Sequence, residues 1–303
     1  MLRNMSDVAL ATVVCTYVFT LLATISLSIH AYYRLMVRHE VEAEDFLTLI
    51  AFIVSLALVG QITWAVIDEG QGEHMSDVTG SQFEHAAKSL LASEALWALV
   101  NTLIRLTALI FLRKLFALRG LTLKSCPLLL LIGASIAHGI AALLTAVLIC
   151  RPIQALWDDQ DEGTCGDQIV AFLSLEGVGL IIDIGILLLP VRHVLNLSSI
   201  QLKQKVSILF VLSAGAVVIV ITGLRIAALH RINTSDFSYD QGYLGLLSTL
   251  GALIGIITCC TASVYHLLKP LSKKLKKTDI TSSGRRLIGS LLLSSVQRTG
   301  ANR

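Results

Sequence analysis

The stretch IVAFLSLEGVGLIIDIGILLLPV, residues 169–191, decides the fold class. It has 23 residues and no Lys or Arg, and about 20 apolar residues suffice to cross the hydrocarbon core of a bilayer. Glu176 and Asp183 lie seven residues apart, which places both carboxylates on one face of a helix. An acid at the bilayer centre costs at least ~2.5 kcal/mol, so we expect this face to contact protein or water. Pro190 has no N–H to donate, which is typical of a helix that ends near the membrane surface.

The composition extends this interpretation to the whole chain. The protein has 303 residues, a mean hydropathy of +0.75 and only 15% charged residues, whereas soluble domains average about 25%. The charges are clustered and leave long uncharged runs. We therefore predict an all-α, multi-pass integral protein of the plasma membrane or an endomembrane. Nothing in the sequence indicates nucleic-acid binding.

Seven apolar runs are long enough to span a bilayer. The connections between them are short, so we expect one seven-helix transmembrane domain, residues 1–268, followed by a basic tail, residues 269–303. We find no convincing internal repeat of the kind that many transporters contain. The predicted spans are 8–30, 46–67, 90–112, 128–148, 169–191, 206–229 and 243–267.

The distribution of basic residues predicts the orientation. The connections after the first, third and fifth spans, together with the tail, contain 18 of the 24 Lys and Arg residues, and the opposite side contains four. Arg105 and Arg225 lie within spans. By the positive-inside rule, the N-terminus is outside or lumenal and the C-terminus is cytosolic.

Four stretches carry a resemblance to a known family. They are IRLTALIFLRKLF at 104–116, CRPIQALWDDQDEGTCGD at 150–167, the spacing of Asp183 and Pro190, and GLRIAAL at 223–229. Together they resemble the fungal rhodopsin-like integral membrane family, a group of seven-span proteins often described as receptor-like. The residues that match its motifs are Arg105, Thr107, Phe111, Lys114, Phe116, Cys150, Arg151, Pro152, Trp157, Asp158, Gly163, Cys165, Asp183, Pro190 and Arg225. Two departures are the absence of an acid in span seven and the altered tail sequence YHLLKPL at 265–271.

The resemblance implies a receptor-like sensor of an extracellular or lumenal small molecule, with an outward-opening polar cavity. Retinal is not expected, because its Schiff base needs a buried Lys amine and no span has a Lys at its centre. We expect no cofactor. A G protein is a conceivable partner, but the DRY and NPxxY signatures are absent. The rival hypotheses are a membrane-embedded enzyme, of an acid-catalysed cyclase or isomerase type acting on a lipophilic metabolite, and a transporter.

Ionisable residues within the spans are the candidates for a ligand cavity. At a rise of 1.5 Å per residue, Arg105 and Asp183 both lie roughly 22 Å below the outer surface. Glu176 and Arg225 form a second depth-matched pair nearer that surface, so each pair is either a structural ion pair or part of a polar cavity. Glu94 lies near the outer mouth, where its side chain can reach water. The candidates are Glu94, Arg105, His138, Glu176, Asp183 and Arg225.

Metal binding is not indicated at His138. This residue is alone on its span, and a packed, hydrogen-bonded imidazole is expected there. No metal-site spacing occurs elsewhere in the chain, so we expect no metal.

Cys150 and Cys165 both fall in the predicted outer loop, which faces an oxidising compartment. They are expected to form a disulfide that closes a lid over the mouth of the bundle; the alternative is two free thiols. Trp157 between them is expected to be an interfacial anchor.

The tail begins with clustered lysines. Juxtamembrane Lys residues attract anionic lipids of the inner leaflet at about 1 kcal/mol each, although a simple stop-transfer flank has the same composition. The predicted lipid-binding residues are Lys273, Lys274, Lys276 and Lys277. Asn4 and Asn233 begin outside-facing glycosylation sequons.

Overall fold

The structure is a computed structural model that describes residues 6–74, 80–117, 125–152, 154, 163–195, 202–232 and 237–261. Seven helices follow one another, and two short strands lie between the fourth and the fifth. Their bounds are α1 Asp7–Tyr32, continued by a π-helical segment Tyr33–Arg38; α2 Ala43–Asp68; α3 Gly80–Ala117; α4 Ser125–Leu148; β1 Cys150–Arg151; β2 Thr164–Cys165; α5 Gln168–Leu195; α6 Leu202–Arg231; and α7 Phe237–Thr261.

Six of the described helices are long and apolar enough to cross a membrane, and α6 is the seventh helix. A helix such as α2, with 26 residues, is roughly 39 Å long and exceeds the ~30 Å hydrocarbon core. The all-α, polytopic membrane fold predicted from the sequence is therefore confirmed. The orientation stays a prediction, because the helices alone do not show which end of the bundle faces the cytosol. The division into a domain and a tail also stays a prediction, because residues 262–303 lie outside the described part.

Polar residues ahead of the apolar runs start the first two helices. The Ser6 hydroxyl accepts a hydrogen bond from the Ala9 N–H at 3.1 Å. At α2, Glu42 and Asp45 form a reciprocal capping box, in which the Asp45 carboxylate accepts from the Glu42 N–H at 2.8 Å. Both arrangements satisfy backbone donors that the first turn of a helix leaves without partners.

The most enclosed helix is α7. Within the membrane-crossing stretches, 67% of α7 is buried, against 22% of α1, α4 and α5. Its residues Ala252, Leu253 and Ile256 are fully buried in two apolar clusters with residues of α1, α2 and α3. Thr249 also meets Thr16 of α1 through a 3.0 Å hydrogen bond. A helix that is buried on most of its sides lies at the centre of a bundle, and this describes α7.

The end of the bundle that carries Cys150 and Cys165 is called the disulfide end below. At this end, hydrogen bonds join the segments that connect the helices. The Gly72 N–H donates to the Ser238 carbonyl at 2.9 Å, and the Ser238 hydroxyl donates to the Gly70 carbonyl at 2.8 Å. Gly72 has φ 93°, a backbone conformation that residues with a Cβ atom rarely adopt. Glu73 accepts from the Ser6 N–H at 2.9 Å. The start of α1, the α2–α3 connection and the start of α7 are therefore held together.

Pro190 differs from the sequence-based expectation. It lies inside α5, which continues to Leu195 instead of ending near the proline. A proline in a helix removes one backbone hydrogen bond, but membrane helices tolerate this where neighbouring helices provide compensating contacts.

Candidate functional site

The deeper of the two predicted pairs is an ion pair between α3 and α5. Arg105 Nε donates to Asp183 Oδ1 at 2.8 Å, and Nη2 donates to Oδ2 at 3.0 Å. The two side chains are 7% and 13% exposed. This two-pronged geometry is the strongest form of an arginine–carboxylate contact. The predicted contact between these residues is confirmed.

His138 of α4 completes the deep pair. Its Nε2 lies 2.9 Å from the Leu175 carbonyl oxygen, which can only accept a hydrogen bond, and its Nδ1 lies 3.1 Å from Arg105 Nη1. The imidazole therefore donates through Nε2 and accepts through Nδ1, which describes the neutral ring. His138 is packed and hydrogen-bonded, as expected.

Gly179 makes room for this arrangement. A methyl group at its Cα would lie 2.8 Å from Arg105 Nη2 and 3.3 Å from His138 Nε2. Any side chain at position 179 would have to displace the guanidinium. Sequence reasoning missed this residue, because a glycine within an apolar run carries no signal of what lies opposite it.

The second predicted pair, Glu176 and Arg225, is part of a group of five residues. We call this group the upper cluster; its members are Glu94, Trp97, Glu176, Arg225 and Ser248. The Arg225 guanidinium is 1% exposed and contacts the carboxylates of both Glu94 and Glu176. Its Nε donates to the Ser248 hydroxyl at 3.0 Å. The Trp97 indole N–H donates to Glu176 at 2.8 Å, and the Trp97 ring lies 4.8 Å from the guanidinium carbon.

Contrary to the sequence-based expectation, the Glu94 side chain does not extend to the water outside the bundle. It is only 8% exposed and contacts the buried Arg225, because α6 places that guanidinium within hydrogen-bonding reach. Trp97 and Ser248 were not among the predicted site residues, although Trp97 follows Glu94 by one helical turn.

Two cavities lie on either side of the deep pair, and Arg105 lines both. The upper cavity is bordered by Glu94, Glu176 and His138, and the volume open to the centre of a water molecule is about 20 Å³. That is room for about one water. The lower cavity, measured in the same way, is about 130 Å³.

The lower cavity lies between α3, α5, α6 and α7. Its walls are mainly apolar, and its charged groups are Arg105 and Asp183. It extends from the deep pair toward Phe111 and Pro190, away from the disulfide end. The sequence-based expectation was a polar cavity open to the outside. The structure instead gives a water-sized polar space toward the disulfide end and a larger apolar space beyond the ion pair.

Cys150 and Cys165 form a disulfide, which confirms the predicted pairing. The two cysteines also face each other in the β1–β2 pair, and the Gly166 N–H donates to the Ile149 carbonyl at 2.8 Å. Trp157 and the predicted lipid-binding tail lysines lie outside the described residues, so their roles stay predictions.

A third charged group, the α1–α3 network, lies at the end opposite the disulfide. Its cations are Arg34 and Lys114, and sequence reasoning did not single it out. Arg34 lies 2.9 Å from Glu42 and 3.0 Å from Asp45 and also contacts Glu44. Lys114 lies 3.0 Å from Glu42 and 2.9 Å from Glu44. The hydrogen bond from Lys114 lowers the pKa of Glu42, and the charge of Arg34 acts in the same direction.

The pKa of Glu69, just beyond α2, is shifted in the opposite direction to that of Glu42. It is 8% exposed, and burial raises the pKa of its carboxyl group. Its Oε2 atom has no hydrogen-bond partner among the described residues. Within the described part of the chain, no group of three or more His, Cys, Asp or Glu side chains is placed to hold a metal ion.

Comparisons with known proteins give the family. The chain is 28% identical over 182 residues to a SAT4 family membrane protein of Emericella nidulans, a match that covers 59% of this chain and 47% of the relative. The chain thus matches about half the length of that relative. No solved structure matches. A model of the fungal rhodopsin domain matches residues 29–270. This match covers most of the chain and agrees with the seven-helix fold, so the protein belongs to the fungal rhodopsin domain family.

Proposed function

We propose that this protein is a receptor-like membrane protein that binds a small, mainly apolar molecule in the lower cavity. The observation that carries the proposal is the cavity itself: about 130 Å³ lined by four helices, with mainly apolar walls and one charged pair at its end. Ligand pockets commonly combine apolar walls with a few fixed polar groups that set orientation.

The chemistry of the deep pair favours an uncharged ligand with one polar group. Arg105 and Asp183 neutralise each other, so neither calls for a charged partner. A ligand hydroxyl could donate to the Asp183 carboxylate, and a ligand carbonyl could accept from Arg105, which has five N–H groups. Such a molecule dissolves in the bilayer and could reach the cavity from the membrane.

Two features favour a receptor over an enzyme of the acid-catalysed type. Asp183, the acid beside the lower cavity, has both carboxyl oxygens engaged by hydrogen bonds from the Arg105 guanidinium, so neither is left free for a substrate. Of the two cavities described, Glu94 and Glu176 border the one with room for about a single water. A transporter is disfavoured by the absence of a convincing repeat in the sequence.

Thermal unfolding of the purified full chain in detergent tests the proposal. We expect medium-chain n-alkanols to raise the melting temperature more than n-alkanes or fatty carboxylates of the same length, because binding to the folded state stabilises it. Ala108 lines the lower cavity, so Ala108→Leu should fill the space and abolish this shift. Ala141 is exposed on α4, and Ala141→Leu is the matched control that should keep it. Equal shifts for all three compound classes, or an unchanged shift in Ala108→Leu, would contradict the proposal.

A further inference from the structure

The charges around the two cavities do not balance. The His138 ring is neutral by its hydrogen bonds, and the charged side chains of the deep pair and the upper cluster are two cations and three acids: Arg105, Arg225, Glu94, Glu176 and Asp183. The deep pair is neutral by itself. The upper cluster therefore has two carboxylates for one guanidinium and retains one negative charge if both acids are ionised.

Among the described residues, no third charged group adjoins Glu94, Glu176 and Arg225 closely enough to act on Glu94 or Arg225. Lys88 of α3 precedes Glu94 by six residues, and Arg231 of α6 follows Arg225 by six residues, in each case roughly 9 Å along the helix axis.

The contact from α7 is the uncharged Ser248 hydroxyl. Asp240 on the same helix is eight residues away, roughly 12 Å along the axis, and is itself an acid. At the end of α2 the ionisable groups are Asp68 and, just beyond the helix, Glu69, whose side chain interacts with Ser89 on α3. These acids add negative charge and do not compensate for it.

We propose that the upper cluster is a buried proton-binding site, in which Glu94 and Glu176 together hold one proton against Arg225. An uncompensated ion in a protein interior costs several kcal/mol. Two carboxylates that share one site do not both ionise readily, because each disfavours the charge of the other. Binding of a proton removes the excess charge and leaves one carboxylate paired with the guanidinium.

The hydrogen bonds decide which acid holds the proton. Glu176 accepts from two donors, the Trp97 indole at 2.8 Å and the Arg225 guanidinium. Glu94 accepts from Arg225. Donors stabilise the ionised form of a carboxyl group, so Glu176 is the carboxylate and Glu94 is the protonated acid.

The upper cavity provides a route by which this proton can be exchanged. The cavity borders both carboxyl groups and has room for about one water. His138 lines the same space, but its Nε2 is committed to the Leu175 carbonyl and its Nδ1 to Arg105. Exchange with a water in the cavity, rather than transfer to His138, is therefore the route that the geometry favours. Release of the proton would change the charge that holds α3, α5 and α6 together, and pH would then act on the bundle at this point.

Infrared spectroscopy of the full chain in lipid nanodiscs tests the proposal. The measurements use a Glu69→Gln background, because burial raises the pKa of Glu69 and this acid could add its own signal. At neutral pH we expect a carbonyl band of a protonated carboxyl group, which shifts when the protein is labelled with ¹³C-glutamate. Glu94→Gln should remove the band. Glu176→Gln should also remove it, since Glu94 then pairs alone with Arg225 and ionises.

Other outcomes would overturn the proposal. Absence of the band in the Glu69→Gln protein would overturn the proposal by itself. The test therefore remains valid even if Glu94→Gln and Glu176→Gln do not fold. Persistence of the band in Glu94→Gln would assign the proton elsewhere.

Discussion

Arg105 and Asp183 lie 78 residues apart in the chain and meet through two hydrogen bonds, of 2.8 and 3.0 Å, between α3 and α5. A slide of either helix by one residue would move the groups apart by about 1.5 Å and break the two-pronged geometry. The pair therefore fixes the register of the two helices and also forms the polar end of the lower cavity.

Removal of either partner should destabilise the protein. We expect Asp183→Asn and Arg105→Gln each to cost ~3–5 kcal/mol, because the remaining charge is stranded in the interior. Folded yield in detergent, measured by size-exclusion chromatography, should fall in both. The exchange Arg105→Asp with Asp183→Arg should recover part of the loss. Ile181→Leu is a suitable control because Ile181 is 70% exposed on α5. Normal yield of Asp183→Asn would mean that the pair is not structural.

The disulfide should contribute measurably to stability. Cys150 and Cys165 are separated by 15 residues, and closing a loop of that size stabilises a fold by about 3 kcal/mol in the chain-entropy model. Cys150→Ser with Cys165→Ser should lower the melting temperature. The control is the exposed free cysteine Cys126, for which Cys126→Ser should change little. Mass mapping without reductant should recover the linked peptide, and free alkylation of both cysteines would refute the bond.

The orientation can be tested separately. From the distribution of Lys and Arg, we expect glycosylation at Asn233 and accessibility of a tag after Arg303 from the cytosol. Both positions lie outside the described residues, so this prediction depends on the sequence alone. A lumenal tag would reverse the assignment of the two ends.

The α1–α3 network should make stability depend on acid pH. Lys114 lowers the pKa of Glu42 from its ordinary value of 4.5. A carboxyl group with a lowered folded-state pKa stabilises the protein above its unfolded pKa, and this contribution is lost as the pH falls through the folded value. Lys114→Met should reduce stability at neutral pH and weaken the loss on acidification below about 4.5. Melting temperatures across that range measure both effects. An identical pH dependence in the variant would show that Glu42 gains nothing from Lys114.

Much of the architecture could be predicted because the bilayer imposes it. A run such as 169–191 has few alternatives to a spanning helix, since every backbone polar group must be satisfied within the segment. The same cost argument placed Arg105 against Asp183, because equal depth and opposite charge leave little other choice in hydrocarbon.

What the sequence did not predict depends on rotation of the helices about their axes. Depth can be counted along the chain, but the angular position that brings both Glu94 and Glu176 to Arg225 depends on packing of whole helices. The lower cavity has the same origin. It arises where small residues such as Gly215 and Gly255 of α6 and α7 face α3 and α5, and a glycine in an apolar run does not reveal its neighbour.

The position of Arg105 between the two cavities also bears on permeation. An ion that moved along the bundle from one cavity to the other would have to pass a guanidinium fixed by Asp183 and His138. Because Asp183 balances the charge of Arg105, the barrier is the side chain itself, and displacing it would break a buried ion pair. In this conformation the Arg105 side chain separates the two cavities. A proton could therefore be exchanged in the upper cavity without passing to the lower cavity and across the membrane.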